Sequence, residues 1–189
     1  PNYPPVKLTL MRVYAASDDV ETTIAFGRAT LKQHPELEEV HDHLINALIN
    51  ESAWEDALDA VGRAIEADPG RAKLWYASAA IHRITGALDS AIVSLEHGLT
   101  LDPAYPELRS EIPTLAKALL DKGRVEACIK LCTKGLEIDS KNAELWAVSG
   151  SAFLAQGMSE DAARLFREAL ANDPDHAEAK RMLEQMTSP

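Results

Sequence analysis

The sequence predicts an all-α protein in which helix-turn-helix hairpins stack into a solenoid. The first observation is a recurring turn, an Asp-Pro pair or its equivalent, whose spacings along the 189 residues are 34, 34, 37 and 34 residues, at Pro35, Pro69, Pro103, Ser140 and Pro174. The second is that apolar residues between these turns recur at three- and four-residue steps, which gives each segment one apolar helical face. Because neither helix of a single hairpin can bury such a face alone, the copies must stack.

The clearest repeat covers residues 143–176. Its first helical face includes Trp146 and Phe153, and Gly157 ends that helix. A second face, centred on Phe166, runs up to the next Asp-Pro turn. Small residues on both faces let the helices approach, and the three aromatic rings fill the space between them. The other segments can therefore be interpreted as variants of this repeat.

At this point the chain resembles the tetratricopeptide repeat (TPR) family, whose pattern asks for Trp, Leu, Gly, Tyr, Gly, Ala, Phe, Ala and Pro at set places. In the fifth repeat those places are held by Trp146, Gly150, Phe153, Gly157, Ala162, Phe166, Ala169 and Pro174, with Ser149 in place of Leu. The second repeat supplies Leu44, Leu48, Trp54, Ala57, Ala64 and Pro69, and the third supplies Trp75, Ala79, Gly86, Ala91, Leu95 and Pro103. The resemblance implies a right-handed superhelical solenoid of TPR hairpins. It also implies that the first helix of each hairpin lines a concave groove for a partner.

The repeats divide the chain into an arm, five hairpins and a cap. The proline-rich arm is residues 1–5, the hairpins lie within 6–176 (with repeat boundaries near 4–37, 38–71, 72–105, 106–142 and 143–176), and the capping helix and tail are 177–189. Pro4 and Pro5 favour an extended form, so the first helix is expected to begin at Val6. The first repeat departs from the pattern at Thr23 and Gly27, as terminal repeats commonly do.

The fourth repeat carries the one irregular spacing. Apolar residues keep helical spacing across its three additional residues, so its first helix is expected to begin near Pro106. Pro113 interrupts that helix, because proline removes a backbone hydrogen bond and clashes with the carbonyl four residues earlier. A kink at 109–113 is the favoured outcome, and a fresh helix capped by Ser110 is the alternative.

Composition limits the function classes. The net charge of -11 argues against nucleic acid as a partner, since binding that polyanion needs a clustered basic face. No run approaches the roughly 18 apolar residues of a membrane span, and the opening residues do not resemble a signal peptide, so a cytoplasmic location is expected. Cys128 and Cys132 fall at core positions of the fourth repeat, which predicts two buried, reduced thiols.

A search for catalytic chemistry finds none. The sequence has no glycine-rich phosphate loop, nucleophile elbow or His-Glu-x-x-His motif. His41 and His43 point about 200° apart on a helix, so they cannot share a metal ion without ligands from another element. We therefore predict a protein that is not an enzyme, with no catalytic residues, no cofactor and no metal site.

Repeat position predicts which side chains face the concave groove. The predicted partner-binding residues are Arg12, Asn46, Asn50, Lys73, Tyr76, Arg83 and Lys117. Lys73, Arg83 and Lys117 surround Tyr76 within an acidic protein, which favours a peptide that carries acidic residues. The two asparagines offer amide donors and acceptors for its backbone. The alternative is an ordinary solvated helix face.

The sequence thus predicts a non-catalytic scaffold that binds a partner peptide or protein in the groove of a TPR solenoid. One alternative is the repeat region of, or a partner to, a transferase-type enzyme whose catalytic part lies elsewhere. Another is a scaffold that associates with itself through its repeat ends or proline arm. We expect a monomer, and the last alternative would give a homo-oligomer.

Overall fold

The chain folds into a row of eleven α-helices across residues 3–17 and 19–187, which are the residues that this computed structural model describes. No β-strand occurs in these residues, in agreement with the predicted all-α class. The helices are α1 (Pro4–Ala16), α2 (Val20–Leu31), α3 (Glu38–Asn50), α4 (Trp54–Ala67), α5 (Ala72–Ile84), α6 (Leu88–Leu101), α7 (Pro106–Asp121), α8 (Val125–Ile138), α9 (Ala143–Ala155), α10 (Ser159–Asn172) and α11 (Ala177–Thr187).

The odd-numbered helices form one layer of the stack and the even-numbered helices the other. Each helix packs on the next in the chain, and within the odd layer α1 packs on α3, α5 on α7, and α7 on α9. Between α3 and α5, and between α9 and α11, the backbones come less close than in those three pairs. Side chains of α3 and α5, among them Ile45 and Ile81, still share one buried cluster.

Helix α1 begins at Pro4, and not at Val6 as predicted. Both Pro4 and Pro5 lie in its first turn, where the backbone N–H groups have no acceptor within the helix and proline is tolerated. The predicted extended arm is therefore wrong for these two residues. Pro1 and Asn2, the rest of that predicted arm, lie outside the described residues.

Helix α7 begins at Pro106, as predicted, and continues through Pro113 to Asp121. Ser110 does not cap a fresh helix: its Oγ donates to the carbonyl oxygen of Glu107 at 2.9 Å, inside α7. The fresh-helix alternative is therefore wrong, and the kink stays a prediction.

In the second to fifth hairpins the turn contains one residue with a left-handed backbone conformation. Gly86, Gly123 and Gly157 supply it in the last three hairpins, with φ between +70° and +81°. In the second hairpin Ser52 takes this conformation at φ +56°. Since a side chain makes the left-handed region unfavourable, Ser52 is a strained position.

The core lies between the two layers and follows the whole stack. In the fifth hairpin Phe166 is fully buried against Gly150, and a Cβ added to that glycine would lie 2.8 Å from the nearest ring carbon. Cys128 and Cys132 are 0% exposed and form no disulfide. The prediction that they are core residues is confirmed.

Candidate functional site: the concave groove

The odd-numbered helices line a groove that contains three cavities in a row. The N-terminal cavity, about 360 Å³, is lined by Arg12, Asn46 and Asn50 among others. The middle cavity, about 260 Å³, is lined by Asn46, Lys73, Tyr76 and Arg83 among others. The C-terminal cavity, about 440 Å³, is lined by Arg83 and Lys117 among others. Adjacent cavities share Asn46 and Arg83, so all seven predicted residues lie along one continuous surface.

The middle cavity is mostly apolar. Its apolar lining comes from α3, α4 and α5: Ile45, Ile49, Trp54, Leu74, Ala77, Ala80, Ile81 and Ile84. The cavity lies between α3 and α5, whose backbones come less close than those of α1 and α3, α5 and α7, or α7 and α9. The sequence reasoning did not anticipate this lining. One available signal was Ile84, an exposed apolar residue at the last position of α5.

Tyr76 lies at the edge of this cavity, and its ring faces the next hairpin. The ring centroids of Tyr76 and Tyr105 are 6.5 Å apart and tilted by 53°, within the range of aromatic pairs. The pair joins α5 to the segment that precedes α7. Tyr76 is therefore a fixed wall of the groove.

Asn46 and Asn50 lie one helical turn apart on α3, and both are exposed. Within the described chain, neither side-chain amide forms a hydrogen bond. Each amide has two N–H donors and a carbonyl acceptor available. This end of the groove can therefore bond to a peptide backbone without breaking an internal contact.

Each predicted cation of the groove pairs with a carboxylate. The ion pairs are Arg12–Glu39, Lys73–Asp42 at 3.0 Å, Arg83–Glu111 and Lys117–Glu178 at 3.5 Å. The partners are 27 to 61 residues apart in the chain, so reasoning from local sequence did not detect the pairing. The expected basic centre is therefore largely neutralised.

Lys73 differs from the other three cations because it shares its carboxylate partner with a second cation. Asp42 already accepts two hydrogen bonds from Nη2 of Arg71, at 2.7 and 2.8 Å, and Lys73 is a second cation on the same carboxylate. If Lys73 turned to another anion, Asp42 would keep a charged partner. A ligand can therefore take Lys73 without leaving a carboxylate of the groove unpaired.

Arg83 is the opposite case. Its Nε donates to Glu111, whose side chain is only 6% exposed. A buried carboxylate needs its charged partner, because an unpaired charge in the protein interior is costly. Arg83 therefore holds α5 to α7 and forms a wall between two cavities.

Arg12, which lines the N-terminal cavity, pairs with Glu39 of α3. The hydrogen bond from Arg12 is the main cause that lowers the pKa of Glu39, and the same bond raises the pKa of Arg12. Both groups therefore stay charged at neutral pH, and the pair links α1 to α3.

Sequence models of the tetratricopeptide repeat match residues 44–106, 84–152 and 143–186. These matches overlap and together run without a gap from residue 44 to residue 186. The chain belongs to the tetratricopeptide repeat family. Its groove is thus the concave surface of a tetratricopeptide solenoid.

Known tetratricopeptide proteins are similar to this chain in sequence and in fold. The TPR repeat-containing protein YpiA of Bacillus subtilis (strain 168) is 28% identical over 181 residues, which is 94% of this chain and 42% of YpiA. The chain therefore spans less than half the length of that relative. The crystal structure of MamA gives a TM-score of 0.74 at 17% identity, covering 92% of this chain and 93% of MamA.

A second solved structure is YrrB, described as a TPR protein with an unusual peptide-binding site. Its TM-score is 0.71 at 16% identity, and the match covers 94% of this chain and 90% of YrrB. At these identities the structural similarity establishes the solenoid fold. What MamA and YrrB bind belongs to those proteins.

Among the described residues, no group of three or more His, Cys, Asp or Glu side chains is placed to hold a metal ion. Nε2 of His41 lies 2.8 Å from the carbonyl oxygen of Pro35, and Nε2 of His43 lies 3.5 Å from Glu39, so the two rings have separate partners. None of the described helices combines the length and the apolar character needed to cross a bilayer.

Proposed function

We propose that this protein is a non-catalytic scaffold that binds a partner peptide or protein along its concave groove. The observation that carries the proposal is the continuous row of three cavities in which all seven predicted residues lie. An apolar cavity that anchors a side chain, next to unpaired amides that bond to the backbone, is a common basis of peptide recognition. The similarity of the fold to that of YrrB supports this proposal.

The middle cavity is the proposed anchor site. Burial of one large apolar side chain there contributes about 1.5–3 kcal/mol. Asn46 lines both this cavity and the N-terminal one. A peptide that places an apolar residue in the middle cavity therefore passes its backbone beside Asn46 and Asn50.

Lys73 is the proposed charged contact. A carboxylate one or two residues from the apolar anchor can take Lys73, because Arg71 continues to neutralise Asp42. Arg83 forms part of the cavity wall, and its charge is less available to a ligand because it pairs with Glu111. The proposed ligand is therefore an apolar residue with an acidic neighbour, and its attraction weakens as salt screens the exposed charges.

A displayed library of random peptides, selected on the immobilised protein, tests this proposal. Selected peptides are then titrated calorimetrically against three variants. Ala80→Trp fills the middle cavity and should weaken binding at least tenfold. Lys73→Gln removes the second cation beside Asp42 and should weaken the binding of acidic peptides several-fold at low salt. Ala25→Trp adds the same ring to an exposed position of α2 and should leave the affinity unchanged.

Circular dichroism of each variant first establishes that the helices are intact. A selection that yields no binding peptide would contradict the proposal. So would peptides that bind the Ala80→Trp variant as tightly as the parent, because their site would then lie outside the middle cavity.

A second candidate is self-association through the first helix. Tyr3, Val6, Leu10 and Val13 follow one another at steps of three and four residues, and each is 38% to 64% exposed. Steps of this kind form the apolar seam of paired helices, so two copies of α1 can pack against each other. Pro4 and Pro5 of the predicted arm are part of this helix.

Sedimentation velocity over a range of concentrations tests the second candidate. If α1 mediates self-association, the parent should show a dimer that Val13→Glu removes. Val93→Glu, at an exposed valine of α6, is the matched control and should keep the dimer. A parent that is a monomer at every concentration would exclude self-association.

A further inference from the structure

A larger cavity lies on the other side of the second hairpin, between α2 and α4. Its volume is about 830 Å³, larger than each of the three groove cavities. Its lining is Arg28, Leu31, Lys32, Pro35, His41, Leu44, Leu48, Asp56, Asp59, Ala60, Arg63, Glu66 and Ala67. We call it the convex cavity, because the even helices α2 and α4 contribute most of its wall.

The repeat pattern explains why this cavity is open. Trp75 and Trp146 each follow the turn residue of their hairpin by six positions, and each indole Nε1 donates to that residue's carbonyl oxygen, at 3.1 and 2.8 Å. His41 holds the corresponding position after Pro35, with Nε2 2.8 Å from the Pro35 carbonyl oxygen. His41 therefore keeps the hydrogen bond of the tryptophan and lacks the second ring of its side chain.

The third hairpin shows where that missing ring belongs. There Trp75 stacks on His97 of α6, with ring centroids 4.6 Å apart and planes inclined by 23°. One repeat of 34 residues earlier, the residue in the place of His97 is Arg63, and Arg63 lines the convex cavity. The volume that an indole fills in the third hairpin is thus part of the cavity in the second.

His41 does not complete this site. Its ring is buried, at 3% exposed, and its Nδ1 has no hydrogen-bond partner among the described residues. With Nε2 donating to Pro35, Nδ1 is left as an unpaired acceptor. An indole at this position would have no such second nitrogen.

We propose that the convex cavity is a second binding site, separate from the groove, that accepts an aromatic side chain of a partner peptide, tryptophan above all. Leu31, Leu44 and Leu48 provide an apolar floor for the ring. Arg28 and Arg63 stand at the rim, held by Asp56 at 2.9 Å and Asp59 at 3.0 Å. Guanidinium groups fixed in this way can stack on an aromatic face, which an aliphatic side chain does not offer.

The test uses N-acetyl-tryptophanamide as the probe, with N-acetyl-leucinamide as the aliphatic comparison. Methyl resonances of Leu44 and Leu48 are followed by NMR as each probe is added to the full chain. The parent should show saturable shifts with the tryptophan probe and at least tenfold weaker binding of the leucine probe. His41→Trp should fill the cavity from within, abolish these shifts and raise the melting temperature.

His43→Trp is the matched control, because it adds the same side chain to α3 but lines the N-terminal groove cavity. It should bind the probe as the parent does. Ala60→Phe fills the convex cavity from α4 and replaces His41→Trp if that variant does not fold.

Three results would overturn the proposal. One is a parent without saturable shifts up to the solubility limit of the probe. Another is a folded His41→Trp or Ala60→Phe variant that binds like the parent. The third is equal binding of the leucine probe, which would exclude an aromatic-specific site.

Discussion

Phe166 is the best place to test how the hairpins hold one another. Its ring is fully buried between α9, α10 and α11, in the cluster that includes Ala147 and Ala179. Phe166→Ala should lower the free energy of unfolding by about 3–5 kcal/mol, because it removes the buried ring and leaves a cavity. The helices of each repeat pack mainly on those of its neighbours, so hydrogen exchange should show the loss of protection mainly in α9–α11.

The contact between Phe166 and Gly150 gives this prediction a sharper form. A Cβ at Gly150 would lie 2.8, 2.9 and 3.0 Å from three ring carbons of Phe166, closer than side chains approach in proteins. Gly150→Ala therefore costs about 1–3 kcal/mol by overpacking, which outweighs about 1 kcal/mol gained from the better helix former. In the Phe166→Ala background the clash is absent, so the same substitution should stabilise.

The expected result is a change of sign, measured by urea unfolding of the parent, both single variants and the double variant. Gly62→Ala in α4 is the control, because a Cβ there meets no atom within 4 Å and should stabilise in both backgrounds. A Gly150→Ala effect of the same sign in both backgrounds would refute the packing argument. Equal loss of protection in α1–α4 after Phe166→Ala would refute the nearest-neighbour stack.

Three further predictions concern other positions. Ser52→Gly should raise the free energy of unfolding by about 1 kcal/mol, because it relieves a positive φ; an unchanged urea midpoint would contradict this. Arg83→Ala should cost about 3–5 kcal/mol by leaving buried Glu111 unpaired, and Glu111→Leu in the same chain should recover most of that loss in thermal unfolding. The backbone N–H of Thr22 lowers the pKa of Asp19, so the ionised carboxylate stabilises above the unfolded-state pKa of about 4, and its contribution is lost as pH falls through the folded-state pKa. Asp19→Asn, which caps without titrating, should therefore lose less stability than the parent between about pH 5 and pH 2.

Most of the fold could be predicted because its signals are local. The recurring turn, the apolar periodicity and the glycine-ended helices fix where hairpins begin and end, and α7 begins at Pro106, as expected. The error at Pro4 and Pro5 came from applying the rule for proline within a helix to its first turn, where the missing N–H costs nothing. The local rule failed here because proline is excluded from the middle of a helix but tolerated in its first turn.

The candidate site could be predicted only in part. Repeat position put the seven predicted residues on one continuous surface, because equivalent faces of successive odd helices point the same way. It did not show that Arg83 meets Glu111 or that Lys73 shares Asp42 with Arg71. Those pairs depend on how far one hairpin is displaced against the next, which no single repeat encodes.

The middle groove cavity and the convex cavity lie on opposite sides of the same hairpin. Ile45 and Ile49 of α3 line the middle groove cavity, and Leu44 and Leu48 of the same helix line the convex cavity. A solenoid tolerates such incomplete packing, because its stability is close to a sum over repeats and neighbouring interfaces, so one loosely packed hairpin does not destabilise the others. His41 and the wider backbone spacing of α3 and α5 are both departures from the regular stack. In a repeat protein, the residues that break the pattern therefore mark where space for a ligand arises, and the residues that keep it hold that space in place.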